Sequence, residues 1–455
     1  MPNLNLSSFH DYDVRGIYPT DIDETFFYHL GKSYALYIKN GPVYVGHDTR
    51  AHSPALFNSF VEGMTDYGVD VVDLGNISTE MHNFACGTYP STMNVMITAS
   101  HNPPEYNGVK SALHGTVPLH GGFGLPEVKA FMNQDLPKAE KKGTVTKKDI
   151  FADWIAHIKQ SVEIDAMNKD LRVVVDAGNG MGGPAWNAMR DIVPFEIIPL
   201  FLEPDGSFPN HVPDPSKAEN LQQLVDKVKE TGADLGIAID GDADRAVFVD
   251  ETGTIVPGTV AVALLAEHFL HKSKGAILYD ATCGRVVPET VEKNGGRPVR
   301  TRVGHSFIKT IFKQEEGIFA GENSGHFYFK ENSGAESSLM AGLILVEILS
   351  GKHMKMSEIR AKYDIYPRSG ETNFKVPDSS VIIHELKETY SPKAMTVDEV
   401  DGYSFWFKDW WFNVRLSKTE PLMRINVEAD TRELLDTHFG DIVSILEKHG
   451  AERKK

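Results

Sequence analysis

The chain has 455 residues, 41% of them hydrophobic and 24% charged, and carries a net charge of −17. Single hydrophobic cores stop growing near ~250–300 residues, so this length implies three or four domains, and the apolar content excludes a disordered chain. The acidic balance excludes nucleic acid as the main partner, because gripping a phosphate backbone needs a surplus of Lys and Arg on one face. Cys86 and Cys283 show neither metal-ligand nor redox spacing, which fits two buried apolar side chains in a reducing cytoplasm. The N-terminus lacks the basic-then-apolar pattern of a signal peptide. The apolar runs at 260–265 and 339–349 are shorter than the roughly 20 residues a membrane span requires, so no membrane partner is expected.

In chain order, the first third predicts strands over 43–48, 69–74 and 94–98. Between them lie a helix opened by Ser53 as N-cap with Pro54 as its first residue, and a helix from 79 to about 89. These are strand–helix–strand units around a largely parallel sheet. Ser100 then falls just past the C-terminal end of a strand, where open α/β sheets place ligands. A lysine-rich stretch over 138–148 leads to a second round: strand 171–175, a glycine-rich turn at 178–183, a strand near 196–201, and a helix over 218–231. That helix carries Leu221, Leu224, Val225 and Val228 on one face. Strands 234–239 and 246–250 follow, flanking an acidic loop. A third round begins near Gly258, with strands 276–280 and 299–303 and a helix over 337–350. The last stretch changes character, with strands near 372–376, 402–407 and 424–429, and reads as a separate α+β domain.

Four segments carry chemistry. Thr98-Ala99-Ser100-His101-Asn102-Pro103-Pro104 is a loop after a strand, followed by Asn107-Gly108 and Lys110; it exposes a serine hydroxyl, a weak nucleophile unless assisted. Asp240-Gly241-Asp242-Ala243-Asp244-Arg245 sets three carboxylates at alternate positions, an oxygen-rich donor set for a hard cation such as Mg²⁺. An EF-hand is excluded: Glu251 falls at the twelfth position, but Arg245 replaces the sixth-position glycine and a strand follows where a helix should. Gly321-Glu322-Asn323-Ser324-Gly325-His326 combines an acid, a hydroxyl and an imidazole able to read sugar hydroxyls. Arg415-Leu416-Ser417-Lys418-Thr419-Glu420-Pro421 interleaves cations with hydroxyls, as a phosphate-gripping loop does.

Taken together, in this order, these segments resemble the α-D-phosphohexomutase superfamily, in its phosphomannomutase/phosphoglucomutase branch. The resemblance spans nearly the whole chain and includes Tyr12-Asp13-Val14-Arg15-Gly16, Gly206-Ser207-Phe208-Pro209-Asn210-His211 with Pro213-Asp214-Pro215, and Val303-Gly304-His305 with Ile308-Lys309. It implies three α/β domains with mixed sheets around a central cleft (1–150, 151–255 and 256–370) and a C-terminal α+β phosphate-binding domain (371–455). It also implies that Ser100 is a phosphoserine, that Ser100, Asp240, Asp242 and Asp244 hold Mg²⁺, and that Arg15, Lys110, Arg245 and His326 serve catalysis. Tyr12, His305, Lys309, Glu322, Ser324, Arg415, Ser417 and Thr419 would bind substrate.

The reaction so implied interconverts hexose 1-phosphate and hexose 6-phosphate, of mannose and/or glucose, through a hexose 1,6-bisphosphate that turns end for end. A monomer or homodimer is expected. Glucose and mannose differ only at C2, so contacts to O3 and O4 from Glu322 and Ser324 would not distinguish them. A phosphoglucosamine mutase or a non-catalytic sugar-phosphate-binding protein are the alternatives. Several positions depart from the family pattern: Glu80 stands where many relatives have Pro or Asp, Ala243 replaces a frequent Gly, Lys418 replaces a frequent Gly or Asn, and Asn323 matches neither the usual Gln nor the usual Met. Two other enzyme classes fit worse. The turn Gly178-Asn179-Gly180-Met181-Gly182-Gly183, with Glu203 near the ribose position, superficially resembles a dinucleotide-binding turn, yet leaves Ser100 and the acidic loop without a role. A serine hydrolase lacks its G-x-S-x-G elbow, and His101 as an immediate neighbour is a poor base for Ser100.

Overall fold

The alternating apolar runs fold into four sheets. The computed structural model describes residues 4–416 and 422–454. The first sheet orders its strands Val14–Ile17, Tyr106–Leu113, Met93–Ile97, Val43–His47, Val71–Asn76 and Val145–Lys147, with Val117–Pro118 paired to Tyr106–Leu113. The last four of these strands are parallel, whereas Val14–Ile17 and Tyr106–Leu113 run antiparallel to their neighbours, so the sheet is mixed rather than largely parallel. Tyr106–Leu113 reads as a turn in sequence because of Asn107-Gly108. Its polar Asn107, Lys110 and Ser111 are nevertheless buried, and cross-strand pairing overrides local preference. Gly108 is required there, since a Cβ would collide with the carbonyl of Val14.

The helix expected to be capped by Ser53 runs Ser53–Asp66 with His52 at the cap position and no side-chain cap bond. Ser53 is spent elsewhere: its hydroxyl donates to Asp48 Oδ1 (2.5 Å) and accepts from Asn107 Nδ2 (2.9 Å). The second sheet, Ile255–Val256, Ala246–Asp250, Leu235–Ile239, Arg172–Asp176 and Glu196–Leu200, carries the acidic loop between two antiparallel strands. The third is Arg297–Thr301, Ala276–Asp280, Gly317–Gly321, Phe327–Phe329 and Ala335–Glu336. Its helix Ser338–Lys352 is opened by Ser337, whose side chain accepts from the Met340 N–H. That helix is apolar nearly all round and accordingly buried.

The fourth sheet, Thr396–Asp398, Tyr403–Trp406, Trp410–Leu416, Leu422–Ala429, Thr372–Lys375 and Glu452–Arg453, is antiparallel and backed by helices Ser379–Tyr390 and Arg432–Lys448. The sequence reading places no strand at Trp410–Leu416. Its first five residues are all buried, so the period-2 signal of a half-exposed strand is missing. Side chains from the first three sheets and their helices, among them Tyr44, Phe84, Trp154, Trp186, Leu264, Phe319 and Ile344, form one continuous apolar cluster. The C-terminal sheet keeps a separate core around Phe374, Ile382, Phe412, Ile425 and Ile442. Among the described residues, no helix is long and apolar enough to cross a membrane.

Candidate active site

Ser100 follows strand Met93–Ile97 and is buried rather than exposed as its loop suggests; it sits in the left-handed backbone region, φ 52°, which a non-glycine residue adopts only when its surroundings enforce it. The enforcing group is Arg50, almost fully buried. Its guanidinium donates to the carbonyl oxygens of Ser100 (2.9 Å), Asn102 (2.7 Å), Pro103 (2.5 Å) and Tyr106 (3.1 Å), and its Nε donates to Asp48 (3.1 Å). All five N–H donors of an arginine are thereby occupied. The segment Gly206-Ser207-Phe208 braces Arg50 from the second domain: Phe208 lies 5.1 Å from the guanidinium carbon, and a Cβ on Gly206 would fall 2.6 Å from Arg50 Cα. The Ser100 hydroxyl lies 3.0 Å from Asp240 Oδ2 and 3.2 Å from His101 Nδ1. The turn thus brings His101 within hydrogen-bond reach, contrary to the expectation from adjacency. Burial first, then Arg245 and Arg15, hold His101 well below the ordinary imidazole range.

The acidic loop meets Ser100 backbone to backbone, since a Cβ on Gly241 would stand 2.6 Å from the Ser100 carbonyl oxygen. Asp240 Oδ1 accepts from the N–H groups of Asp244 (3.0 Å) and Arg245 (3.1 Å), which closes the turn. Lys110 Nζ reaches in from strand Tyr106–Leu113 and donates to Asp242 Oδ2 (2.7 Å) and Asp244 Oδ2 (2.5 Å). Burial opposes the Lys110 charge, yet Asp242 and Asp244 outweigh it and raise its pKa. Asp240 is pushed well above the carboxylate range by burial and then by Asp244 and Asp242. For Asp244 burial acts in the same sense, but Lys110 and His326 prevail and lower it.

Ligand atoms of Asp240, Asp242 and Asp244 lie within 4.8 Å of one another, all three residues buried. Among the described residues, Oδ1 of Asp242 is buried without a hydrogen-bond partner, and Oδ1 of Asp244 has only His326 Nε2 nearby, at 3.4 Å. Three buried carboxylates gathered this closely, with Asp242 Oδ1 unpaired, are costly unless a cation meets them, so the donor set fits a hard divalent ion.

Arg245 Nε lies 3.7 Å from Asp240 Oδ2 and 3.2 Å from His326 Nε2. His326 is contested. Accepting from Arg245 requires a neutral ring, whereas Glu322 Oε2 at 3.0 Å from Nδ1 and Asp244 Oδ1 at 3.4 Å from Nε2 favour the imidazolium. Burial and the Arg245 guanidinium work against that charge, but the carboxylates, Asp244 foremost, lift the pKa to about 9. Arg15 pairs with Asp13 and donates to Asn102 Oδ1 (2.6 Å). Tyr12 lies over Gly304, where a Cβ would fall 2.6 Å from the ring, and its hydroxyl donates to Val303 O (3.4 Å).

His305 opens helix His305–Gln314, and Lys309, one turn on, donates to Glu336 Oε1 (3.0 Å). Tyr12, Arg15, Ser100, Lys110, Arg245, His305 and His326 line one cleft of ≈650 Å³. Glu322 lies behind that wall, accepting from Gly304 N (2.9 Å) and Tyr328 OH (2.6 Å), while Ser324 Oγ lies 2.9 Å from His326 Nδ1. Asn323 faces away from the imidazole: its side-chain oxygen accepts from Thr259 N (2.9 Å). Arg415 stands apart on strand Trp410–Leu416, donating to Glu371 (2.6 Å) with Asp401 at 3.7 Å. Ser417, Lys418 and Thr419 lie outside the described residues.

The glycine-rich turn at 178–183 does not cradle a dinucleotide. Asn179 N donates to Phe201 O, Gly180 N to Ala177 O and Met181 N to Gly241 O, so the amides that would hold a pyrophosphate are spent, the last of them on buttressing the acidic loop. Residues missed in sequence, Arg50 and Thr79, act through such long-range contacts; Thr79 Oγ1 donates to Asp242 Oδ2 (2.6 Å).

Three α/β domains that bring a buried serine against an acidic triad and its paired cations, with a fourth α+β domain docked on the third, define a phosphoryl-transfer enzyme. Comparison with known proteins narrows that class. Residues 6–123, 152–253 and 257–366 match phosphoglucomutase/phosphomannomutase alpha/beta/alpha domains I, II and III, and residues 371–444 match the C-terminal domain of that family. The chain is 36% identical over 449 residues to a phosphomannomutase of Methanocaldococcus jannaschii, covering 98% of each. It is also 36% identical to phosphohexose mutases of Xanthomonas campestris pv. campestris, over 97% of this chain and all of theirs. A crystal structure of a phosphoglucomutase/phosphomannomutase family protein from Burkholderia thailandensis superposes with a TM-score of 0.89 at 28% identity, covering 99% of both chains. The chain belongs to the phosphoglucomutase/phosphomannomutase family and is a phosphohexomutase enzyme.

Proposed function

We propose that the enzyme interconverts the 1- and 6-phosphates of mannose and glucose through a phosphorylated Ser100 and a hexose 1,6-bisphosphate. The observation that carries this reading is the Ser100 hydroxyl 3.0 Å from Asp240 inside a ring of cations, Lys110, Arg245 and Arg15, at the head of one cleft. The curated relatives named phosphomannomutase and phosphohexose mutases support the substrate class.

A phosphoserine carries about −1.5 to −2 charges near neutral pH, and an incoming hydroxyl meets that repulsion unless it is offset. Phosphoryl transfer proceeds through a loose transition state, so positioning and charge stabilisation supply most of the catalysis. Arg50 fixes the serine loop, while Lys110 and Arg245 place positive charge beside Ser100 Oγ. The sugar hydroxyl attacks phosphorus as the bond to Ser100 Oγ breaks, and the proton the hydroxyl loses is balanced by the one the departing Ser100 Oγ takes up; Arg15 and the protonated His326 stand on the cleft wall and offset charge, whereas Lys110 is spent on two carboxylates. The bisphosphate turns, and the other phosphoryl group returns to Ser100. Asp240, Asp242 and Asp244, with Ser100, would hold Mg²⁺. When bound, it supplies charge neutralisation at the transferring phosphoryl oxygens. Tyr12, His305, Lys309, Glu322 and Ser324 would hold the sugar, and Arg415, Ser417 and Thr419 the distal phosphate.

The test is isomerisation of glucose, mannose and glucosamine 1-phosphates with Mg²⁺ and a trace of hexose bisphosphate, in wild type and Ser100→Ala. Turnover of the first two sugars, abolished in the mutant, is expected. Faster turnover of glucosamine 1-phosphate would reassign the sugar, and undiminished turnover in Ser100→Ala would overturn the phosphoserine route.

A further inference from the structure

The three carboxylates of the acidic loop are not equally held. Asp240 is fixed by two backbone N–H groups of its own turn. Asp242 has no such support. Its Oδ2 takes two donors from the first domain, Thr79 Oγ1 (2.6 Å) and Lys110 Nζ (2.7 Å), and its Oδ1 is left buried and unpartnered. Lys110 divides its ammonium between Asp242 and Asp244 and ends a flexible four-carbon stem, so it supplies charge but little orientation.

Thr79 differs. Its β-branched side chain is stiff at χ1, it is 1% exposed, and it grips Asp242 at two points, because its N–H also donates to the Asp242 carbonyl oxygen (2.9 Å). Thr79 begins helix Thr79–Thr88, which Ser78 caps by accepting from Met81 N (3.2 Å). The next residue locks that helix to the third domain: Glu80 Oε1 accepts from Leu339 N (2.7 Å) and Ser337 Oγ (3.1 Å) at the start of helix Ser338–Lys352. The pair Thr79-Glu80 therefore ties the acidic loop of the second domain to the first and third.

We infer that Thr79 is a positioning residue of the cation site, turning Asp242 so that Oδ1 faces the ion. The inference rests on the reading of the triad as a metal site. Partners of this kind, which orient a ligand without touching the metal, typically cost about 10–100-fold in affinity when removed.

The experiment is direct titration of the full-length protein with Mn²⁺, following free ion by electron paramagnetic resonance, for wild type, Thr79→Val, Thr79→Ser and Asp242→Asn. Thr79→Val keeps the volume and removes the hydroxyl. It is expected to weaken Mn²⁺ binding about 10–100-fold, Thr79→Ser is expected to bind within a few-fold of wild type, and KM for hexose phosphate at saturating Mg²⁺ is expected to be unchanged. A Thr79→Val protein that melts earlier yet binds Mn²⁺ as wild type does would show a purely structural role and sink the inference, leaving the metal site intact. Absence of Mn²⁺ binding by wild type would remove the metal site and this inference together. Should Thr79→Val not fold, Thr79→Cys, with a weaker donor in a similar volume, is expected to bind between wild type and Asp242→Asn; wild-type affinity in Thr79→Cys would equally overturn the role.

Discussion

The catalytic junction and the C-terminal domain are attached to the molecule by opposite kinds of contact. Around Ser100, three domains share one apolar cluster, and buried polar groups such as Arg50, Lys110 and Glu80 cross between segments far apart in the chain. The C-terminal domain keeps its own core and meets the third domain largely through charge: Arg285 with Glu428 (3.4 Å) and Asp430 (2.7 Å), and Arg300 with Asp398 (2.5 Å). Burying an apolar side chain contributes about 1.5–3 kcal/mol, whereas ion pairs as buried as Arg285–Glu428 and Arg300–Asp398 gain little net, because desolvation offsets their attraction. The proposed route, in which one serine serves both ends of a sugar, would use this division, with a fixed serine and a separately attached phosphate-binding domain.

The largest effect expected from the rigid side comes from Lys110→Met. Removing the cation leaves Asp242 and Asp244 buried without their shared partner, which should cost about 3–5 kcal/mol in urea unfolding without divalent metal. Turnover should fall by about 10²-fold or more as transition-state charge loses a partner. Saturating Mg²⁺ should recover part of the stability by binding only the folded state. Unchanged metal-free stability would break the comparison at its stronger limb.

Arg50→Met comes next. Four carbonyls of the serine loop lose their donor, and a loss of about 3 kcal/mol or more is expected, with faster hydrogen exchange confined to residues 100–106 and a lower kcat. A variant that lost only stability, with kcat intact, would show that Ser100 holds its position without Arg50.

The buried junction should also register pH. Burial first raises Glu80 from 4.5 to about 7, against the hydrogen bonds from Leu339, Ser338 and Ser337, which favour ionisation. The folded protein therefore keeps a proton that the unfolded chain releases. The stability this contributes is fully present below pH ~4.5 and is lost as pH rises through about 7, a change on the order of a few kcal/mol. Urea midpoints at pH 5 and 7.5 measure it, and Glu80→Gln should flatten the difference; an equal slope in that variant would assign the effect to other groups.

Arg300→Ala, at the domain contact, should produce the smallest change, about 2 kcal/mol, because the guanidinium, 10% exposed, also donates to Ala281 O and Ser404 Oγ. Calorimetry should show the C-terminal domain melting earlier while the main transition holds, with KM raised a few-fold and kcat nearly unchanged. A shift of the whole transition would mean that the two regions are one cooperative unit.

Most of the chemistry was legible along the chain because it is written in contiguous residues. The serine loop at 98–104 and the alternating aspartates at 240–244 depend on spacing of a few positions, which a strand end or a tight turn preserves whatever surrounds it. Strand 276–280 was legible for the same reason, being an uninterrupted apolar run that stays buried. The run at 410–416 was not, since Asn413 and Arg415 interrupt its apolar residues and the buried first five show no alternation. Arg50 lies fifty positions before the carbonyl it holds, and Thr79 lies 163 from Asp242, so neither carries a local mark. Adjacency in sequence does not show that His101 reaches the Ser100 hydroxyl, since that depends on the left-handed turn at Ser100. The sequence by itself determined the family and the order of its four domains. Tertiary structure alone decided which oxygens are free, which cations are spent and which residues hold them, because those depend on distances in space between segments that do not know one another along the chain.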